Sequence, residues 1–189
     1  MNPTPKIAVI LAGGKARRFG GRDKGEILIN HERVIDIIYA RLKPQSQRIL
    51  ISGAHDYNLG FEVVPDVQAA PGGPVGGIYS IWSVLKKDAA EGFFTVPVDG
   101  PNLPHDLTER LYSPSASTLA VDKTGRHPTY AWWRMIDLEK ILTGLDFSKS
   151  ISLNKLAELS AAQPVKWEGA DNFLNINNLH DFKVFVKDA

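Results

Sequence analysis

The stretch Ile7-Ala8-Val9-Ile10-Leu11-Ala12-Gly13-Gly14-Lys15-Ala16-Arg17-Arg18-Phe19-Gly20-Gly21-Arg22-Asp23-Lys24-Gly25 decides how the rest of the chain is read. Residues 7–11 are apolar without alternation, the pattern of a strand buried on both faces of a parallel sheet. The run then breaks into glycines and cations. Gly13-Gly14 and Gly20-Gly21 let a backbone turn sharply and bring its N–H groups close to a ligand. Lys15, Arg17, Arg18, Arg22 and Lys24 put positive charge on the same loop. Close backbone approach together with cations is what a polyphosphate requires, so the loop reads as a nucleotide site.

Two familiar phosphate loops are excluded by spacing. No window has the two glycines four residues apart, followed by Lys and Ser or Thr, of the Walker loop. The dinucleotide pattern G-x-G-x-x-G is absent as well. The remaining pattern, Leu11-Ala12-Gly13-Gly14 followed by Arg18-Phe19-Gly20 and Asp23-Lys24, resembles the signature loop of nucleotidyltransferases. Those enzymes move a nucleoside monophosphate from an NTP onto an acceptor. The competing reading is a basic surface turn, and the motif's length and its opening directly from a strand argue against it.

Composition fits such a protein. With 189 residues, 43% hydrophobic and 23% charged, the chain reads as one soluble globular domain over residues 1–189. The net charge of +1 is balanced overall and concentrated locally, which argues against a nucleic-acid partner. The absence of cysteine removes disulfides, thiolate metal sites and cysteine nucleophiles together. No apolar run approaches a membrane span and the first residues lack a signal-peptide core. The expectation is a cytoplasmic protein with no membrane partner.

Further along, the pattern alternates between strands and helices. Apolar Val34, Ile35, Ile38 and Leu42 recur at helical spacing, predicting a helix over residues 32–43 closed by Pro44. Residues 48–51 and 61–64 read as buried strands, the second ending at Pro65-Asp66. The stretch from Phe93 contains another, which delivers Asp99 to its carboxyl end. Helices are expected over 135–142, about 150–159 and about 179–187, with a strand over 164–167. This alternation predicts an α/β fold, a Rossmann-like three-layer architecture with a mostly parallel sheet. Segments 117–121 and 129–133, with a turn at 122–128, predict a short antiparallel hairpin.

Three later features carry chemistry. The segment Ala70-Pro71-Gly72-Gly73-Pro74-Val75-Gly76-Gly77 opens a helix, where exposed N–H donors suit an anion; the alternative is a tight loop letting helix and sheet pack closely. Asp99, in Pro97-Val98-Asp99-Gly100-Pro101, follows a buried strand and so lies at the carboxyl end of the sheet, where open α/β sheets bind ligands. A carboxylate there suits Mg2+, which takes carboxylate and triphosphate oxygens together; the alternative is an Asp that starts a turn. Asn175 and Asn177 alternate around Ile176, which sets both amides on one side of a strand end. His127 is not read as catalytic.

Four segments, residues 11–25, 71–80, 97–104 and 126–131 with 172–177, together resemble the molybdenum cofactor guanylyltransferase family across nearly the whole chain. The resemblance implies transfer of GMP from GTP to molybdopterin. It implies a nucleotide site of Leu11, Ala12, Gly13, Gly14, Lys24, Ser52, Asp66 and Asp99, with Asp99 holding Mg2+. Gly76, Arg126, His127, Asn175 and Asn177 fall on the acceptor side, and Arg18 joins Lys24 and Asp99 in opposing phosphate charge. Proteins that donate or accept the cofactor are implied as partners. Leu-Ala-Gly-Gly-Lys, rather than Leu-Ala-Ala-Gly, resembles the guanine-using branch. Phe19 stands where Met is usual, Ser52 where Asn is common, and Asn178-Leu179 where Thr-Pro is usual. The alternatives are a related nucleotidyltransferase, such as a molybdopterin cytidylyltransferase, and a non-catalytic nucleotide-binding partner.

Overall fold

The computed structural model describes residues 6–12, 23–67, 70, 72–146, 150–169 and 172–175. The strands are β1 (Ile7–Leu11), β2 (Leu28–Ile29), β3 (Glu32–Arg33), β4 (Arg48–Ser52), β5 (Glu62–Val64), β6 (Gly92–Pro97), β7 (Thr118–Asp122), β8 (Gly125–Arg134) and β9 (Gln163–Lys166). The α-helices are α1 (Val34–Leu42), α2 (Pro74–Leu85), α3 (Leu107–Leu111), α4 (Met135–Leu142) and α5 (Leu153–Leu159). Seven strands form one sheet in the order β5-β4-β1-β6-β8-β7-β9, and β2 pairs with β3 in a small antiparallel ribbon.

β1 is buried along its whole length because both its neighbours and both its faces are covered. It runs parallel to β4 on one side and to β6 on the other. Its side chains alternate between two cores. Ala8 and Ile10 join Val34, Ile35, Ile38 and Leu42 of α1 and Leu107 and Leu111 of α3 on one face. Ile7, Val9 and Leu11 meet Val75, Ile78 and Ile81 of α2 and residues of α4 and α5 on the other. Two helical layers therefore sandwich one sheet, as the alternating pattern predicts.

Several boundaries differ from the sequence expectation, each for a local reason. The helix expected from residue 32 begins at Val34, because Glu32 and Arg33 pair back onto Ile29 and Leu28. The connecting Asn30 and His31 both have positive φ, 48° and 71°, the geometry of a two-residue primed turn. Without the usual glycine the hairpin signal is weak. Pro44 sits inside a 3-10 turn, Lys43–Gln45, that continues α1. The turn expected over 122–128 shrinks to Lys123-Thr124, since Asp122 already pairs with Gly125. Pro128 lies within β8, in the irregular stretch left by the register shift between Leu119 and Ala120, where a strand proline is tolerated. α3 carries too short an apolar pattern to be predicted. The helix expected over 179–187 lies outside the described residues. Asn175 follows a turn at Asn172-Phe173, and Asn177 lies outside the described residues.

Candidate active site

β1, β4, β5 and β6 all deliver their carboxyl ends to one edge of the sheet. The chain steps outward from β1 to β4 and β5, then returns to the other side of β1 with β6. The β1–β6 seam is therefore the topological switch point, outside which open α/β sheets hold ligands. Backbone hydrogen bonds carry the sheet into the loops. Ala12 N donates to Ser52 O at 2.8 Å, Gly53 N to Val64 O at 3.1 Å, and Val98 N to Leu11 O at 3.1 Å.

Asp99 emerges from β6 at this seam in a turn in which Gly100 N donates to Pro97 O at 3.3 Å. The Lys24 ammonium donates to Asp99 Oδ2 at 2.5 Å, and the two side chains are 24% and 14% exposed. The end of the glycine-cation stretch and the strand-end carboxylate thus meet at the place the fold prepares for a ligand.

Lys24 is held from behind by residues the sequence reading did not single out. Lys24–Glu26 forms a 3-10 turn capped by Asp23, whose Oδ1 accepts from Gly25 N at 2.8 Å and from the Tyr57 hydroxyl at 2.8 Å. Tyr57 is buried at a φ of 54°, and Arg33 Nη1 donates to its carbonyl at 3.0 Å. Burial, reinforced by the hydrogen bond to Asp23, raises the phenol pKa and keeps Tyr57 a donor. A Cβ on Gly25 would lie 2.7 Å from Tyr57 Cε1 and 3.1 Å from Val98 Cγ2, so close packing demands glycine here. Asp23 as the residue before a turn was a readable cap signal. Tyr57, far along the chain, had none.

The opposite side of Asp99 is built from Tyr130 and Asn175. The Tyr130 hydroxyl lies 3.3 Å from Asn175 Oδ1 and 3.4 Å from Gly100 O, a single donor between two acceptors. Burial, and then the charge of Asp99, raise its pKa. A Cβ on Gly100 would collide with the Tyr130 hydroxyl and come within 3.1 Å of Asn175 Oδ1. Tyr130 is fully buried and has little room to yield. Gly100→Ala is therefore expected to cost about 1–3 kcal/mol of stability by overpacking, measured by thermal or urea melting. An unchanged Tm would show that the turn relaxes freely.

The remaining predicted residues fall at known places. Ser52 is buried and faces α2, since a Cβ on Gly77 would collide with its Oγ. Of the two readings of the second glycine-rich segment, close packing accounts for Gly77. Gly76 lies buried in the first turn of α2, while Gly73 is its N-cap at a φ of 79°. Asp66 follows β5 on an exposed segment, where desolvation by the surrounding protein raises its pKa. That segment is tied to α2: Val67 N donates to the buried Ser80 Oγ at 3.0 Å, which donates to Gly76 O at 2.9 Å. Arg126 is exposed and His127 half-buried on β8. Gly13, Gly14, Arg18 and Asn177 lie outside the described residues. Among the described residues there is no cluster of three or more His, Asp or Glu side chains able to hold a metal. No helix among them is long and apolar enough to cross a membrane.

The chain is an α/β protein with a mostly parallel sheet between helical layers and a lysine–carboxylate pair at the sheet's switch point. In fold, 97% of the chain matches 97% of molybdopterin-guanine dinucleotide biosynthesis protein A from Archaeoglobus fulgidus, with a TM-score of 0.68 at 20% identity. The chain is 33% identical over 181 residues to a molybdenum cofactor guanylyltransferase from Yersinia pseudotuberculosis, across 92% of this chain and 91% of that protein. It is 41% identical over 108 residues to one from Shewanella putrefaciens, across 55% of this chain and 54% of that protein. A family model described as the MobA-like NTP transferase domain matches residues 8–156, and the chain belongs to that family.

Proposed function

We propose that the protein transfers GMP from GTP to the terminal phosphate of molybdopterin, in the cytoplasm, forming the guanine dinucleotide cofactor and pyrophosphate. The observation that carries this reading is the Lys24–Asp99 pair at the β1–β6 switch point. An acceptor phosphate oxygen bonds to the α-phosphorus of GTP as the bond to the leaving pyrophosphate breaks. A phosphate monoester has its second ionisation near pH 6, so the nucleophile carries no proton to remove at neutral pH. No general base is required, and His127 need not supply one.

The protein's task is to position two anions and offset their charge. Lys24 opposes charge on the triphosphate and on the departing pyrophosphate, with Arg18 in the same duty. Leu11, Ala12, Gly13, Gly14 and Ser52 form the nucleotide side, and Asp66 reads the guanine edge as a hydrogen-bond acceptor. Gly76, Arg126, His127, Asn175 and Asn177 form the acceptor side. Mg2+ is the proposed cofactor and Asp99 its protein ligand. The fit rests on a hard, part-buried carboxylate that already faces a cationic group, the donor type this ion prefers. Bound there, the ion adds charge neutralisation at the phosphates.

Asp66→Asn tests the guanine assignment and its sign on stability. A carboxyl whose folded-state pKa is raised costs stability once ionised, a cost present above its folded pKa and absent below its unfolded one. The amide variant is expected to melt no lower than the parent at pH 7 while its KM for GTP rises by about tenfold. A lower Tm with unchanged GTP kinetics would contradict both parts. The whole reading is tested by incubating the protein with Mg2+, molybdopterin and each NTP and measuring pyrophosphate. GTP is expected to be used best. Equal use of CTP would favour a cytidylyltransferase, and no release with any NTP a nucleotide-binding partner.

A further inference from the structure

The β7–β8 hairpin carries a charge cluster of which the proposed reaction uses His127 but not Asp122. Asp122 is completely buried at its side chain, yet three donors converge on one of its oxygens. Oδ1 accepts from Thr124 N at 2.8 Å, Thr124 Oγ1 at 2.6 Å and His127 Nε2 at 2.8 Å. Oδ2 is buried with no hydrogen-bond partner among the described residues. Burial works against the charged carboxylate, but hydrogen bonds from His127 and Thr124 outweigh it and hold the pKa below the usual carboxylate range. A carboxylate kept ionised in a buried turn is costly unless paired. Closing a two-residue turn does not call for one.

The imidazole held by this carboxylate is linked to the Asp99 turn through two ring contacts. Its side chain is 17% exposed and its ring lies 4.9 Å from that of Phe173 at 35°. Phe173 in turn packs 4.8 Å from Tyr130, whose hydroxyl reaches Asn175 and Gly100 beside Asp99. Nε2 is committed to Asp122. Nδ1 makes no hydrogen bond among the described residues. Asp122 is the buried charge facing the ring, Lys123 and Arg126 are exposed neighbours on the hairpin, and the packed elements present Phe173 and Tyr130.

We propose that Asp122 is a positioning residue that holds His127 by Nε2–H, so that Nδ1–H of the imidazolium donates to the phosphate of the acceptor. This rests on the acceptor assignment made above. The buried carboxylate and the incoming phosphate then share one cation, each through a charge-assisted hydrogen bond. Asp122 acts through His127 and touches no substrate.

Asp122→Asn keeps the shape and removes the charge. It is expected to raise the KM for molybdopterin by about tenfold, the loss of one hydrogen bond to a charged group, and to leave the KM for GTP within about twofold. Thr124→Val, which keeps the carboxylate, is expected to leave both within about threefold. Nitrogen-15 spectra of histidine-labelled protein give a readout a structural role would not move. Inorganic phosphate should shift the His127 ring nitrogens in the parent and in Thr124→Val, and not in Asp122→Asn. Equal KM increases for both substrates, or equal losses in the two variants, would reduce the cluster to a hairpin staple and overturn the proposal. So would a His127 signal unmoved by phosphate in the parent, even with guanylyl transfer intact. A phosphate-responsive His127 in a protein that does not use molybdopterin would support the anion contact while refuting the proposed acceptor.

Discussion

Asp99→Asn is expected to lower kcat by about a thousandfold, the scale of losing a metal-borne or cationic stabilisation of the transition state, with little change in Tm. The amide keeps the size of the side chain and an oxygen that still accepts from Lys24. What disappears is the negative charge that binds a hard cation beside the triphosphate. Lys24 and Asp99 are 24% and 14% exposed, so the ammonium left behind is still reached by water. That keeps the stability loss well below that of breaking a fully buried pair. Pyrophosphate release at saturating Mg2+, set beside a melting curve, checks both halves. Parent-like release would remove Asp99 from the reaction, and a collapsed melting curve would make it a structural residue.

Lys24→Ala is expected to lower kcat/KM for GTP by about a hundredfold, with kcat and KM both affected and Tm nearly unchanged. A lysine contacting only the bound nucleotide would change KM alone. One that meets charge developing on the leaving pyrophosphate also changes kcat. The expectation that both change rests on the ammonium lying at Asp99 Oδ2, beside the proposed metal ligand. Its backbone is fixed by the Asp23 cap and the Tyr57 hydroxyl, so alanine leaves the turn intact. The pair also predicts non-additivity. Lys24→Ala should cost less in the Asp99→Asn background than in the parent, because residues acting as a unit lose their joint contribution once. Strict additivity, measured as kcat/KM across the four proteins, would mean that the two side chains work independently.

The fold was legible because β1 is apolar without interruption and β6 nearly so, broken only by the buried Thr95, and only a sheet covered on both faces asks for that. The Lys24–Asp99 half of the site was legible for a related reason. A carboxylate two residues past a buried strand and a lysine ending a glycine-cation loop are each displaced from any core pattern. Long-range support was not legible. Tyr57 looks like an ordinary loop aromatic until it is seen donating to Asp23, and Asp122 looks like a turn residue until His127 is seen bound to it. For Gly77 the sequence left a ligand loop and close packing both open, and which side chain needs the space, Ser52 at Gly77 and Tyr130 at Gly100, was not readable. Such contacts depend on which strands become neighbours, and no local pattern encodes that. The hairpin turn is shorter than expected because pairing resumes at Gly125 and β8 runs on through Pro128 in an irregular stretch.

The central claim is that a nucleoside monophosphate, and not a phosphoryl group, moves to a phosphate acceptor. Following GTP labelled separately at its α- and γ-phosphates, with molybdopterin and Mg2+, tests this most directly. The account predicts that the α-label appears in the pterin product and the γ-label in free pyrophosphate, in equal amounts. The γ-label on the pterin, or release of either label as inorganic phosphate without transfer, would contradict it.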